Sequence, residues 1–328
     1  MNVENIDNPK IVVIGGGTGN SVILRGIKKY TNNITAIVTV ADDGGGSGIL
    51  REDLGMLPPG DIRSCILALA DDESIMQELL NYRFNEGRLR GQSFGNLFIA
   101  AMNSISDNFV EAIKNVSEVM AVKGTVLPVT LEDITLSAEL SNGDVINGES
   151  IIPEIVREKK IKIKKVKINP SKVCALPYCL EAISEADIII LGPGSLYTSL
   201  IPNLLVTNMK EALIKTNAKR YYISNVMTQP GETEGYDLFD HIAAIESHIN
   251  TDQKIFDYLV VNNGVANKKH LKHYELEGSE LVVNDFIKFK KNDYKFIVGD
   301  FIEVKNGYIR HNAGKIVKII LDNFNEGY

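Results

Sequence analysis

The sequence predicts a doubly wound α/β fold: a mostly parallel sheet, helices on both faces, and a small β insertion. Three observations predict it. Apolar runs without polar alternation, such as Ile11-Val12-Val13-Ile14, suit parallel strands covered on both faces. Each run breaks into a glycine-rich or polar loop, and a helical pattern follows. The loops that open at Gly15, Ala41, Gly192, Asn225 and Asn262 all follow predicted strands. In such sheets ligands sit outside the carboxyl ends of the strands, so these loops are expected to converge on one crevice.

Taken in order, residues 10–14 give the first strand, and Val22, Ile23, Gly26 and Ile27 then recur at helical spacing. Residues 34–40 give the second. After Pro58-Pro59-Gly60, Asp61 is expected to N-cap a helix that runs to Ala70. Helical patterns continue over 74–83, 93–104 and 109–120. Residues 123–128 and 134–140 read as strands, with a hairpin turn at Ser141-Asn142-Gly143-Asp144. Residues 161–168 alternate, but the apolar set slips phase once at Lys164-Lys165, as a bulged, lysine-protected sheet edge would. Strands resume at 187–191, 219–224 and 256–261, and Gly314-Lys315 opens the last helix. The expected organisation is a single domain over 10–328 with a β-rich insertion at 123–170.

Composition narrows the class. The 328 residues carry a formal net charge of −7, with 44% hydrophobic and 23% charged residues. That balance excludes disorder and fibre, and its acidity argues against a general nucleic-acid partner. No apolar run reaches the roughly 18 residues of a membrane span. Cys65, Cys174 and Cys179 show no Cys-x-x-Cys spacing, which suits a reducing cytoplasm.

The loop Gly15-Gly16-Gly17-Thr18-Gly19 lets backbone N–H groups approach a phosphate at a helix N-terminus. It is not a Walker A loop, because Asn20-Ser21 stands where a lysine would follow. Asn20 also occupies the third glycine slot of the dinucleotide fingerprint, which ranks a nicotinamide-dependent oxidoreductase last. A tight turn packing helix on strand is the competing reading. Asp42 and Asp43 end the second strand, where they could hold a ribose or sugar hydroxyl, or Mg²⁺ through one of the two. Gly192-Pro193-Gly194-Ser195 is a second loop able to present N–H donors to an anion. Two such loops in one crevice fit a diphosphate, with Gly16, Gly17, Thr18, Gly19, Gly192, Gly194 and Ser195 around it and Arg63 as charge partner. Asn225, Thr228, Gln229, Glu232 and Thr233 supply donors and acceptors suited to a base or a sugar. Ser93-Phe94-Gly95-Asn96 caps a helix, and Asn96 taken alone reads as structural rather than ligating. His241 and His248 lie seven apart, too far for paired metal ligation, and His241 is the better functional candidate for its closeness to residues 225–236. No nucleophile motif surrounds Ser195.

Together the segments Val13-Ile14-Gly15-Gly16-Gly17-Thr18-Gly19, Ala41-Asp42-Asp43-Gly44-Gly45, Pro58-Pro59-Gly60-Asp61-Ile62-Arg63 and Gly95-Asn96-Leu97 carry a family resemblance. So do Gly192-Pro193-Gly194-Ser195-Leu196-Tyr197-Thr198-Ser199, Asn225-Val226-Met227-Thr228-Gln229, Gly231-Glu232-Thr233 and Arg310-His311-Asn312. The chain resembles the YvcK/CofD family, and more closely its YvcK branch, the gluconeogenesis factors. The resemblance implies a Rossmann-like fold and adds Gly45, Met227 and Arg310 to the site. The CofD branch transfers a phospholactyl group from a guanosine diphosphate carrier with Mg²⁺. The YvcK branch binds uridine-diphosphate sugars and is required for cell shape on gluconeogenic carbon. By that resemblance the chain is expected to be a cytoplasmic regulatory protein with a nucleotide-diphosphate sugar ligand and no catalytic residues. Expected partners are a second copy of the chain and proteins of cell-envelope synthesis. Gly46 and Ile49 depart from the family pattern, which has Ser and Arg there.

Overall fold

Every residue of the first strand, β1 (Ile11–Gly15), is buried, as an apolar run covered on both faces requires. The computed structural model describes residues 8–71, 74–251, 253–289 and 294–326. The remaining strands are β2 (Ile34–Val38), β3 (Thr125–Pro128), β4 (Thr135–Leu140), β5 (Val145–Asn147), β6 (Ile163–Asn169), β7 (Ile188–Leu191), β8 (Lys219–Ile223), β9 (Tyr258–Asn262), β10 (Lys295–Gly299), β11 (Ile302–Lys305) and β12 (Tyr308–His311). Seven of them form one sheet in the order β10-β9-β8-β7-β1-β2-β3, with every pairing parallel. Ile11 lies level with Ile34 on one side and Ile188 on the other. The chain winds outward from β1 in both directions, so the switch point falls between β1 and β7.

Helices cover the sheet. Gly17–Ile27 packs against both Gly60–Leu69 and the final helix, Ala313–Glu326. Gly26 permits the second contact: a Cβ there would stand 3.0 Å from Ala313 Cβ and Val317 Cγ2.

The segment expected as a β-rich insertion divides. β3 completes the parallel sheet beside β2, while β5-β4-β6 form a separate antiparallel sheet. The β4–β6 register shifts between Glu139 and Leu140, whose partners are Lys165 and Ile163, so Lys164 is the extra residue behind the phase slip. Two tethers hold this small sheet to the body. Val166 N–H donates to His248 Nε2 at 2.9 Å, and His248 Nδ1 donates to Ala244 O at 2.6 Å. At the other end, Asp43 accepts the N–H groups of Glu149 and Ser150 at 2.9 and 2.8 Å.

The antiparallel hairpin β11–β12 and the helix Lys268–Glu277 share a small hydrophobic cluster of Val226, Ala266, Tyr274 and Ile309, separate from the main core. This flap stands over the carboxyl ends of the central strands. Among the described residues no helix is long and apolar enough to cross a membrane.

Candidate functional site

The loops after β1, β7 and β8 meet at the switch point, and the flap closes the fourth side. Between them lies a cleft of about 390 Å³ lined by Gly16 to Gly19, Pro193 to Ser195, Asn225 to Pro230, Tyr274, Glu277 and Arg310. Gly17 has φ +64°, a left-handed conformation natural to glycine. A Cβ on Gly19 would run into the Pro193 carbonyl, so the two glycine loops touch backbone to backbone. The helix Gly17–Ile27 starts here with Gly16 as N-cap, no side-chain cap and no acidic residue in its first turn. Its first turn faces the cleft, and Asp61 from the neighbouring helix accepts only the Gly17 N–H.

The second loop is different. Glu232, 3% exposed, accepts from Tyr197 N–H at 2.9 Å, Thr198 Oγ1 at 3.0 Å and Gln229 Nε2 at 3.0 Å. An internal carboxylate already occupies the anion position at the start of the helical stretch Leu196–Leu200. Burial pushes the Glu232 carboxyl up to about 7, against the pull of those hydrogen bonds. Asn225 brackets Gly194, donating to its carbonyl at 2.8 Å and accepting its N–H at 3.1 Å. Ser195 Oγ donates to Gln229 Oε1 at 2.8 Å. Thr233 Oγ1 accepts Gln229 N–H at 2.8 Å, and Thr228 Oγ1 accepts Glu280 N–H at 2.9 Å. Met227 bridges to Leu281. Asn225, Thr228 and Gln229 thus line the cleft while their polar side chains brace its walls, and Met227 lines it beside them. Glu232 and Thr233 lie behind it.

Beneath the first loop sits a group of carboxylates. Asp61 is not the N-cap of its helix, a place held by Pro59; it accepts the Gly17 N–H instead. Burial, then the neighbouring Asp42 charge, push Asp61 up to about 7, opposed by Gly17 N–H and Arg63. Burial and the charges of Asp42, Glu232, Asp61 and Asp43 push Glu149 up to about 8. Asp42 Oδ1 accepts Gly44 N–H at 2.9 Å, and Asp43 faces the other way, onto the small sheet. Arg63 hydrogen-bonds Ser93, and its Nε is buried without a partner. Asn96 Nδ2 reaches Ser47 Oγ at 3.4 Å, and Gly45 has φ +48° at the start of the helix Gly45–Leu54. Asp42, Asp43, Gly45, Arg63 and Asn96 therefore form a second layer and do not line the cleft.

Among the described residues no three His, Cys, Asp or Glu side chains are placed to hold a metal ion. Asp42 Oδ2 and Ser47 Oγ crowd the Gly60 Cα, 2.8 and 2.5 Å from the place of its missing Cβ, so a side chain at residue 60 would clash with them.

His241 is fully buried; its Nδ1 donates to Asp237 O at 2.7 Å and its ring meets Tyr236 edge-on, away from the cleft. Arg310 does line the cleft, lying over the Tyr308 ring with 5.0 Å to its centroid. Sequence reading missed Tyr274, Glu277 and Glu149. The first two sit one turn apart on a flap helix, a spacing that the sequence offers on many helices.

Fold and site define a doubly wound α/β protein with a glycine-loop cleft at its switch point. The chain belongs to the YvcK/CofD family, in the branch of the gluconeogenesis factors: residues 11–302 match the family described as 2-phospho-L-lactate transferase CofD. It is 44% identical to the gluconeogenesis factor of Bacillus subtilis over 96% of this chain and 98% of that one. A relative from Clostridium acetobutylicum is 54% identical over 97% of this chain and 70% of its own length. A crystal structure of a Bacillus halodurans protein, 43% identical, superposes with TM-score 0.91 over 96% of this chain and 99% of that one.

Proposed function

We propose that this protein binds a uridine-diphosphate sugar in the cleft without consuming it, as a cytoplasmic regulator joining gluconeogenic carbon use to cell shape. The observation that carries this reading is the glycine-loop N-terminus of the helix Gly17–Ile27, which lines the cleft together with Arg310. A diphosphate would meet the Thr18 and Gly19 N–H groups, beside the Gly17 N–H that Asp61 accepts. The uridine and sugar then lie along the Asn225–Pro230 wall and under the flap. Regulation is favoured over turnover because the cleft offers no activated nucleophile. Ser195 donates to an amide, and His311 Nε2 is engaged with Ser224 O at 3.0 Å.

A CofD-like transferase using Mg²⁺ is the second reading, supported by the match of residues 11–302 to the family described as 2-phospho-L-lactate transferase CofD. Prolonged incubation with uridine-diphosphate glucose, with and without Mg²⁺, followed by chromatography separates the two. The regulator leaves the nucleotide sugar intact in both, and chelator leaves its binding unchanged. Mg²⁺-dependent breakdown or binding overturns the regulator.

A further inference from the structure

We propose that the groove along the free edge of β3 takes an extended lysine- or arginine-bearing segment of a partner protein as an eighth strand of the main sheet. β3 is the last strand on its side; Cys179 Sγ donates to Pro128 O at 3.3 Å at its C-terminal end, and no described backbone hydrogen bond reaches the outer side of Val126. Val129 N–H donates to Val38 O at 2.8 Å, so alternation turns the odd-numbered residues toward β2 and the N–H and C=O of Val126 outward. Val126 is only 2% exposed, and an unpaired backbone at such a depth is costly.

The outward edge does not face open solvent. It floors a groove of about 670 Å³ between the helices Phe109–Val119 and Pro177–Glu185. A guest strand would lie 4.7–4.9 Å from β3, between the two helices. Val110, Val122 and Ala182 line it, and the ring of Tyr178 stands 58% exposed at its side, which suits alternate apolar side chains of a guest. The charge of the rim decides the guest. Glu111, Glu118, Glu181 and Glu185 line the groove against Lys114 alone. Glu111 and Glu185 have partners in Lys114 and Lys10, whereas Glu118 and Glu181 make no ion pair among the described residues. A basic segment supplies what those two lack. Pro128, which has no N–H, ends the addressable stretch, so recognition is short.

The test uses a fluorescein-labelled heptapeptide alternating valine and lysine, read by fluorescence anisotropy against the intact protein. The controls are the same peptide N-methylated at alternate residues and a valine–glutamate peptide. Binding of the valine–lysine peptide, at least tenfold weaker after methylation and at least tenfold weaker to the Glu118→Lys/Glu181→Lys variant, is the expected result. Both side chains are exposed, and an unchanged melting temperature confirms that the variant folds. No binding, equal binding of the methylated peptide, indifference to charge reversal, or sedimentation showing a second copy in the slot would each overturn the proposal.

Discussion

The Glu232 carboxylate accepts the backbone N–H of Tyr197 at 2.9 Å, so the helical stretch after the second glycine loop carries its own anion. In the first loop Asp61 takes the Gly17 N–H, and Thr18 and Gly19 line the cleft beside it. Glu232→Ala should strand buried donors at Tyr197 and Thr198 and destabilise the fold by about 1–3 kcal/mol. Urea denaturation reads this as a lower midpoint; an unchanged midpoint would show that water replaces the carboxylate at no cost.

Thr18→Ala is the informative change in the first loop. Thr18 is exposed in the cleft, and losing its hydroxyl should weaken nucleotide-sugar affinity by about 1 kcal/mol, or about fivefold, at constant melting temperature. Gly17→Val cannot test the loop, because φ +64° strains any β-branched residue whether or not a phosphate binds there. If calorimetry finds Thr18→Ala and wild type equal, the hydroxyl does not touch the ligand.

Asn225→Ala should loosen the second loop, since Asn225 holds Gly194 by two hydrogen bonds. The expected loss is about 1–3 kcal/mol of stability, with weaker ligand binding as a consequence. Loss of binding without loss of stability would instead make Asn225 a direct ligand contact.

Stability should fall as pH rises from 6.5 to 8. Asp61, Glu149 and Glu232 are raised in the folded state to about 7, 8 and 7, so above their ordinary range the folded protein holds protons that the unfolded chain has released. Their contribution is full at low pH and is lost as pH climbs through the raised values. The buried histidines His241, His248 and His311 are lowered by burial and act in the opposite sense, but only as pH drops through 6.5. Between 6.5 and 8 the carboxylates outweigh the remaining histidine contribution, giving a net fall on the order of 2 kcal/mol. Melting temperatures across this range check it, and Asp61→Asn should flatten the curve. A flat wild-type profile would mean that these groups are solvated.

Much of this was readable in the chain. The unalternating run at β1 and the glycine loop after it signalled the parallel sheet and a ligand loop at its carboxyl end, because both are local signals; the switch point came only with the strand order. Lys164 betrayed a bulge through a single break in phase. What the sequence could not disclose was how polar residues pair. Asn225, Gln229 and Glu232 have the composition of a ligand-reading loop, and their actual partners, Gly194, Ser195 and Tyr197, lie 31 to 35 residues away in the chain. Asp61 looked like an N-cap because helix-start statistics favour Asp; the tertiary contact with Gly17 overrode that preference. Tyr274 and Glu277 arrive on the flap, whose position depends on the separate Val226–Ile309 cluster.

Calorimetric titration of uridine-diphosphate glucose, set beside uridine alone, tests the central claim that the first loop and Arg310 bind a diphosphate. The account predicts that the nucleotide sugar binds at least one hundredfold more tightly than uridine, a difference of about 2.7 kcal/mol. It also predicts that Arg310→Ala removes at least tenfold of that affinity at unchanged melting temperature. Equal binding of uridine and its diphosphate sugar, or no binding of either, would contradict it.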